Sequence, residues 1–280
     1  PPSAPAAPAP APVINNYYTT QLAAVGDEPS VIKRKQDGTE IIELDSVILQ
    51  GNKTEVPLMT EEEFLALRRT YKEKQGDYPK YEAEISIDQA TGFRHIIKIR
   101  IIYADFAVWI PFDERNGPRR KFNGVAFGPD GVLRRVELYG PGSIGDWIAS
   151  YNLFRTAAVS TEEISPARCD NYRDKIATYA FQYPDAWALL YQADVRTRRE
   201  HAPRVRYALM EKHATALKNG WESDFDPEKP WEKVWDQITN HEQAWWDRVF
   251  ENPVKDITLG SVDEEDYIQG DALTSYQGIT

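Results

Sequence analysis

The stretch Val132-Leu133-Arg134-Arg135-Val136-Glu137-Leu138-Tyr139-Gly140-Pro141-Gly142-Ser143-Ile144-Gly145-Asp146-Trp147 changes its hydrophobic period part-way along. On its upstream side Pro129-Asp130-Gly131 is turn chemistry, which predicts one strand over Phe122–Phe127 and another over Val132–Leu138. After Gly140-Pro141-Gly142, Ser143 is placed to cap a helix that carries Ile144, Trp147, Ile148, Tyr151 and Phe154 on one stripe. A sheet that gives way to helices at this point makes the chain an α+β protein: an N-terminal antiparallel β-rich region followed by a compact bundle of four to six amphipathic helices.

Downstream, the helical pattern persists. Ser165-Pro166 supplies a cap and a first-turn proline, and Cys169, Tyr172, Ile176 and Tyr179 follow at helical spacing. Pro184 opens another helix with Trp187, Leu190, Tyr191 and Val195 inward, and Val205, Leu209, His213 and Leu217 read as the inward stripe of the next, which stops near Gly220. Lys229-Pro230 starts the last, with Val234, Trp235, Ile238, Trp245 and Val249 on its stripe. Residues 141–257 are therefore expected to form a helical domain, and 258–280, with Asp263-Glu264-Glu265-Asp266, an acidic flexible tail.

Upstream, Asp37-Gly38 suits a tight hairpin between Val31–Lys35 and Thr39–Leu44. Thr60-Glu61-Glu62-Glu63 is a capping box ahead of Phe64, Leu67 and Tyr71, which predicts a helix over 61–74. Tyr81–Ile87, a turn at Gln89-Ala90-Thr91-Gly92, Ile96–Ile102 and Ala107–Ile110 read as strands. Residues 31–140 are thus expected to form a β-rich domain with one helix, preceded by a disordered Pro/Ala-rich arm over 1–30. Because the first residue is Pro1, the chain reads as a fragment of a longer polypeptide.

Composition narrows the function classes. A formal charge of -11 opposes nonspecific affinity for nucleic acid, and the lone Cys169 excludes an internal disulfide framework or a multi-thiolate zinc site. No apolar run approaches the ~18–20 residues of a membrane span, and the start has no basic region leading into an apolar one. A cytoplasmic protein without a membrane partner is the expectation.

Searching for chemistry yields no catalytic residues, no metal ligands and no cofactor. His95, His201, His213 and His241 lack ligand spacing. Gly140-Pro141-Gly142-Ser143-Ile144-Gly145 superficially resembles a dinucleotide fingerprint but lacks a βαβ setting, which leaves a bare helix N-terminus or a plain turn. Two basic clusters are candidates for RNA or anion contact: Arg119, Arg120 and Lys121 with Arg115, and Arg196, Arg198, Arg199, Arg204 and Arg206. Asp194 and Glu200 stand near enough in sequence to pair with the second cluster instead. Trp147, Trp187, Trp231, Trp235, Trp245 and Trp246 are candidates for interface contact, because the adjacent Trp245 and Trp246 must face different ways. Packing of those two rings against two neighbouring elements is the competing reading.

Phe122-Asn123-Gly124 through Asp130-Gly131, Val136-Glu137-Leu138-Tyr139-Gly140-Pro141-Gly142, Trp147, Ser150-Tyr151 and Phe154-Arg155-Thr156-Ala157 carry a family likeness. It continues through Tyr183-Pro184-Asp185-Ala186-Trp187, Tyr191-Gln192-Ala193-Asp194-Val195-Arg196, Glu200-His201, Pro230-Trp231, Val234-Trp235, Trp245 and Asn252-Pro253. Over about Tyr81 to Asn252 the chain resembles Gag-like polyproteins of protist long-terminal-repeat retrotransposons. The resemblance implies a structural role, in which copies assemble into particles and package element RNA. Two features depart from the family pattern: there is no Cys/His zinc-binding segment to grip RNA, and the β-rich half is unlike an all-helical capsid domain.

The sequence thus points first to a self-associating scaffold with itself as partner and RNA as a weaker one. An RNA- or protein-binding adaptor that uses Arg196 to Arg206 is the alternative. An enzyme with a site built from Asp105, Asp194 and His201 is a third reading.

Overall fold

The computed structural model describes residues 32–111, 114, 118–129, 131–257 and 267–268. The expected arm over 1–30, Arg115, the Asp130 turn residue and the acidic run 263–266 lie outside these residues. The fold is α+β. Strands β1 (Ile32–Arg34), β2 (Glu40–Glu43) and β3 (Glu55–Pro57) form an antiparallel sheet in which Ile32 lies opposite Ile42 and Ile42 opposite Val56. The hairpin turn is held by Asp37, whose carboxylate accepts from the Thr39 N–H at 2.9 Å. A one-turn helix, α1 (Leu44–Val47), leads out of this sheet, and α2 (Glu61–Gln75) starts at the Thr60–Glu63 capping box, with both reciprocal hydrogen bonds present.

The strands expected over 81–102 are not formed. Ser86 accepts from the Gln89 N–H, the Gln89 side chain accepts from the Ser86 N–H, and that second capping box opens α3 (Ile87–Lys98). The Gln89-Ala90-Thr91-Gly92 segment is the first buried turn of this helix. Its glycine answers to space: a Cβ at Gly92 would come within 3.0 Å of Ile48 Cγ2 and 3.1 Å of Val47 Cγ2. Residues 102–104 and 106–110 are buried too, but irregular, and Ala107–Ile110 is not a strand.

Such a segment must find hydrogen bonds without a ladder. The Asp105 N–H donates to Ile48 O at 2.8 Å, the Trp109 N–H to Asp105 O at 2.8 Å, and the Arg120 N–H to Ala107 O at 3.1 Å. Gln89 Nε2 donates to Ile110 O at 3.1 Å and Arg198 to Ala104 O at 2.8 Å.

Strands β4 (Lys121–Phe127) and β5 (Leu133–Tyr139) then pair antiparallel, Gly124 opposite Val136, and β6 (Tyr267–Ile268) runs parallel to β5. The helices that follow are α4 (Ile144–Ser160), α5 (Pro166–Gln182), α6 (Trp187–Arg196), α7 (Ala202–Lys218), α8 (Pro230–Asn240), α9 (Gln243–Trp246) and α10 (Asn252–Ile257). α4 sits deepest, packed against α2 and α5. Its Tyr151 stacks on Trp147 at 4.7 Å and on Tyr172 of α5 at 5.8 Å. The core does not divide at residue 140: Phe93 of α3 meets Phe154 of α4 edge-on at 5.7 Å, and Phe106 meets Trp147 at 6.0 Å.

α6 and α7 are one helical run with a π turn, Thr197–His201, between them, and a second π turn, Asp247–Glu251, joins α9 to α10. Each is followed by one residue and then a proline, Ala202-Pro203 and Asn252-Pro253. A proline inside a helix lacks an N–H and its ring collides with the carbonyl four residues back; widening the preceding turn moves that carbonyl aside. The chain thereby passes both prolines without breaking.

Candidate functional site

The most concentrated chemistry lies around α6. Asp194 and Arg198 are one helical turn apart and fully buried, and they pair bidentately, Nε to Oδ1 at 2.9 Å and NH2 to Oδ2 at 2.7 Å. The Trp147 Nε1–H donates to Asp194 Oδ2 and the Tyr172 hydroxyl to Oδ1, both at 2.9 Å. Arg198 also lies 4.0 Å from the Phe106 ring centroid. Four donors converge on two carboxylate oxygens, so this aspartate is occupied in holding α6, α4 and α5 together.

Asp105 is half-buried. Burial pushes its carboxyl up from the ordinary range, although the Ala107 N–H donates to it at 3.0 Å. His201 stacks flat on Trp245 at 4.1 Å, with Nε2 3.3 Å from Glu242 Oε2, and burial lowers its pKa against the pull of that carboxylate. His201 ends the π turn and His213 lies on α7, so the two histidines share one helical run. None of Asp105, Asp194 and His201 lines either of two clefts found among the described residues. The larger, about 390 Å³, is bordered by ions already in pairs, such as Lys74 with Glu162 at 2.9 Å and Arg168 with Asp236 at 2.5 Å.

The basic candidates separate into engaged and open groups. Arg120 holds Glu114 bidentately and donates to Asp146 O at 3.1 Å, Arg119 pairs with Asp45 at 3.5 Å, and Lys121 with Glu137 at 3.0 Å. The Asp146 carboxylate accepts from Ser143 Oγ at 2.8 Å, so the start of α4 already carries its own anion. In the second cluster Arg198 is sealed in the core and Arg206 is buried, so neither reaches a phosphate. Arg196, Arg199 and Arg204 are exposed, Arg196 only 3.9 Å from Glu200.

The tryptophans proposed as interface anchors are corrected in the same way. Trp147, Trp231, Trp235, Trp245 and Trp246 are buried, and Trp187 is half-buried with Nε1 bonded to Pro141 O at 2.9 Å. Trp245 and Trp246 face different elements: the first donates to Thr197 Oγ1 at 2.8 Å, the second packs on Tyr179 of α5 at 5.6 Å. The core had room for both.

Surface apolarity instead concentrates on α7, where sequence reasoning missed it. Tyr207 is 61% exposed, Met210 37%, Leu217 62% and the following Trp221 64%. Leu217 was expected to face inward with Val205. Each four-residue step overshoots a helical turn by about 40°, so the steps Val205, Leu209, His213 and Leu217 drift roughly 120° around the axis. That drift was the available signal. Trp221 is fixed in place by the helix end: the Gly220 N–H bonds Leu217 O at 3.1 Å, the Trp221 N–H bonds Ala216 O at 2.9 Å, and Gly220 takes φ +69°.

Charge is polarised along this helix. Arg199 and Arg204 at its start have no carboxylate partner among the described residues. Arg206 lies over the Tyr207 ring at 4.7 Å with NH1 on Met210 Sδ at 3.4 Å, and its Nε has no hydrogen-bond partner. Beyond the other end come Glu222, Asp224, Asp226 and Glu228, all exposed. His213 pins this acidic segment to α7 through Ser223 Oγ at 2.9 Å and the Phe225 ring at 5.8 Å.

No described helix is long and apolar enough to cross a membrane. Comparison with protein-family models, with curated proteins and with solved structures finds no match to this chain.

Proposed function

We propose that this chain is a non-enzymatic structural protein that associates with copies of itself, as the Gag-like proteins it resembles do. One observation carries the reading: a row of large apolar side chains on α7 lies outside a core that has otherwise absorbed its rings. Scattered exposed rings such as Phe181 and Tyr81 are ordinary surface, whereas a row rimmed by charge marks a contact. The full hydrogen-bonding of Asp194 also favours a structural over a chemical role for the α6 centre. A cytoplasmic setting belongs to the same reading, supported by one buried, unpaired cysteine.

Size-exclusion chromatography with light scattering, across a range of protein and salt concentrations, tests the reading. A mass that rises with concentration is expected; a strictly monomeric chain at the highest concentration overturns it. RNA packaging is the second reading, favoured by the exposed Arg196, Arg199 and Arg204 at one end of α7. Titration with labelled single-stranded RNA should show binding that weakens steeply with salt.

A further inference from the structure

We infer that Met210 is a reversible oxidation site, with a peroxide as the oxidant, and that the Arg206 guanidinium holds the sulfoxide once it forms. The inference goes beyond self-association and does not depend on it. It begins from a guanidinium short of acceptors. Arg206 lies on the inward side of α7, 8% exposed, with the Tyr207 ring centroid 4.7 Å away and that of Trp231 on α8 5.7 Å away. No carboxylate among the described residues pairs with it, and its buried Nε–H has no acceptor. The one side-chain hydrogen bond it makes among these residues goes to Met210 Sδ at 3.4 Å, one helical turn on. Thioether sulfur is a weak acceptor, so a charged donor enclosed in this way gains from any stronger one brought within reach.

Exposure selects the sulfur. Met210 is 37% exposed, whereas Met59, the other methionine of the chain, is 6% exposed in the core. Cys169 is sealed, and burial pushes its thiol up, away from the reactive thiolate. The sulfur that an oxidant in solution meets is therefore that of Met210.

The step balances with hydrogen peroxide alone. A sulfur lone pair attacks one peroxide oxygen, and the S–O bond forms as the O–O bond breaks. The hydroxide that leaves takes the proton from the oxygen now on sulfur, which gives sulfoxide and water. Sulfur loses two electrons and the peroxide gains them. A sulfoxide oxygen carries the negative end of the S–O dipole, and the unbranched methionine chain lets it swing toward the neighbouring guanidinium. A weak N–H···S contact thus becomes a charge-assisted hydrogen bond. Methionine oxidation ordinarily disrupts packing, because a polar group enters an apolar one. Here the polar group arrives at the surface, beside a cation that lacks a partner.

Mass spectrometry of the dilute full chain after brief treatment with hydrogen peroxide tests the site. Met210 should take up oxygen roughly tenfold or more faster than Met59, and unfolding in urea should make the two alike. Equal oxidation of both in the folded chain, or an unreacted Met210 while free methionine in the same tube is consumed, overturns it. Oxygen that methionine sulfoxide reductases with a thiol reductant fail to remove overturns the reversibility.

Melting curves test the hold by Arg206. The oxidised chain should melt about 2–4 °C above the untreated one. Arg206→Leu, which keeps apolar bulk against the rings and removes the donors, should be oxidised as fast but show no rise. Should that variant not fold, Met210→Gln set against Met210→Leu asks the same question without oxidant. The glutamine carbonyl is an acceptor at much the same place, and its variant should melt higher than the leucine one by a similar margin. A wild-type chain that melts no higher once oxidised, a rise that persists in Arg206→Leu, or a glutamine variant no more stable than the leucine one overturns the pairing.

Discussion

The helix α4 and the outer half of α7 carry similar side chains to opposite ends. On α4, Trp147, Tyr151 and Phe154 are walled in by rings from α3, α5, α8 and the irregular segment before β4. On α7, Tyr207, Leu217 and the adjoining Trp221 stand in solvent. The difference is one of neighbours. α4 is surrounded, whereas α7 is covered on the face that meets α8 and is bare next to it. An aromatic residue thus speaks for the core or for a contact only once the elements around it are known.

The sharpest way to break the buried side of this comparison is to orphan its charge. Asp194→Ala leaves the Arg198 guanidinium enclosed with no counter-ion, and a loss of about 3–5 kcal/mol of folding stability is expected. Urea unfolding measures it. A double change, Asp194→Leu with Arg198→Met, should cost less than the single one, because no unpaired charge remains in the core. A double variant as unstable as Asp194→Ala would mean that the pair specifies the packing and not merely its own neutrality.

Next in size is a matched pair of tryptophan truncations. Trp235 stacks on Phe154 at 5.3 Å and donates to the Tyr151 hydroxyl at 3.2 Å, so Trp235→Ala should cost about 3–5 kcal/mol. Trp221→Ala should change stability by no more than about 0.5 kcal/mol, since that ring touches little of its own copy. Thermal unfolding of dilute samples separates the two. A large loss at Trp221 would show that the ring belongs to the fold and would remove it from the contact surface.

A smaller effect tests why α3 is a helix at all. Ser86→Ala removes the acceptor for the Gln89 N–H and should cost about 1 kcal/mol. The same substitution bears on what could be read in advance. Helix α4 was legible because Ser143 and a run of apolar residues at one period agree, and α2 because its capping box precedes an obvious stripe. At α3 the signals conflicted: Ser86 and Gln89 specify a helix start, while Ile96, Ile97, Ile99, Ile101 and Ile102 favour a strand. The cap and the close seat of Gly92 on Val47 and Ile48 decided the matter. The segment after α3 could not be read at all, since Ile48 and Arg198, which satisfy its backbone, are far away in sequence. The α7 surface was hidden for another reason. Four-residue steps were followed further along the helix than its 3.6-residue turn allows.

The least of the expected effects concerns the joint between the two regions, where α6 becomes α7. There His201 lies flat on Trp245 and faces Glu242, the residue just before α9, with Arg204 on its own helical run and Arg248 on the second π turn as the nearby cations. Burial and the two arginines favour the neutral ring and Glu242 the charged one; the balance lowers the pKa below the ordinary histidine value of about 6.5. A histidine with a depressed folded-state pKa binds fewer protons folded than unfolded just below the ordinary value. Its contribution to stability is therefore complete above pH ~6.5 and is lost as pH falls from there through the folded pKa. His201→Gln keeps a polar planar group against Trp245 but cannot titrate, so its melting temperature should fall less than that of the unaltered chain across this acid window. Parallel melting curves for the two proteins would leave the joint between α6 and α7 indifferent to protonation at His201, and any acid sensitivity of the fold would then belong to the carboxylates.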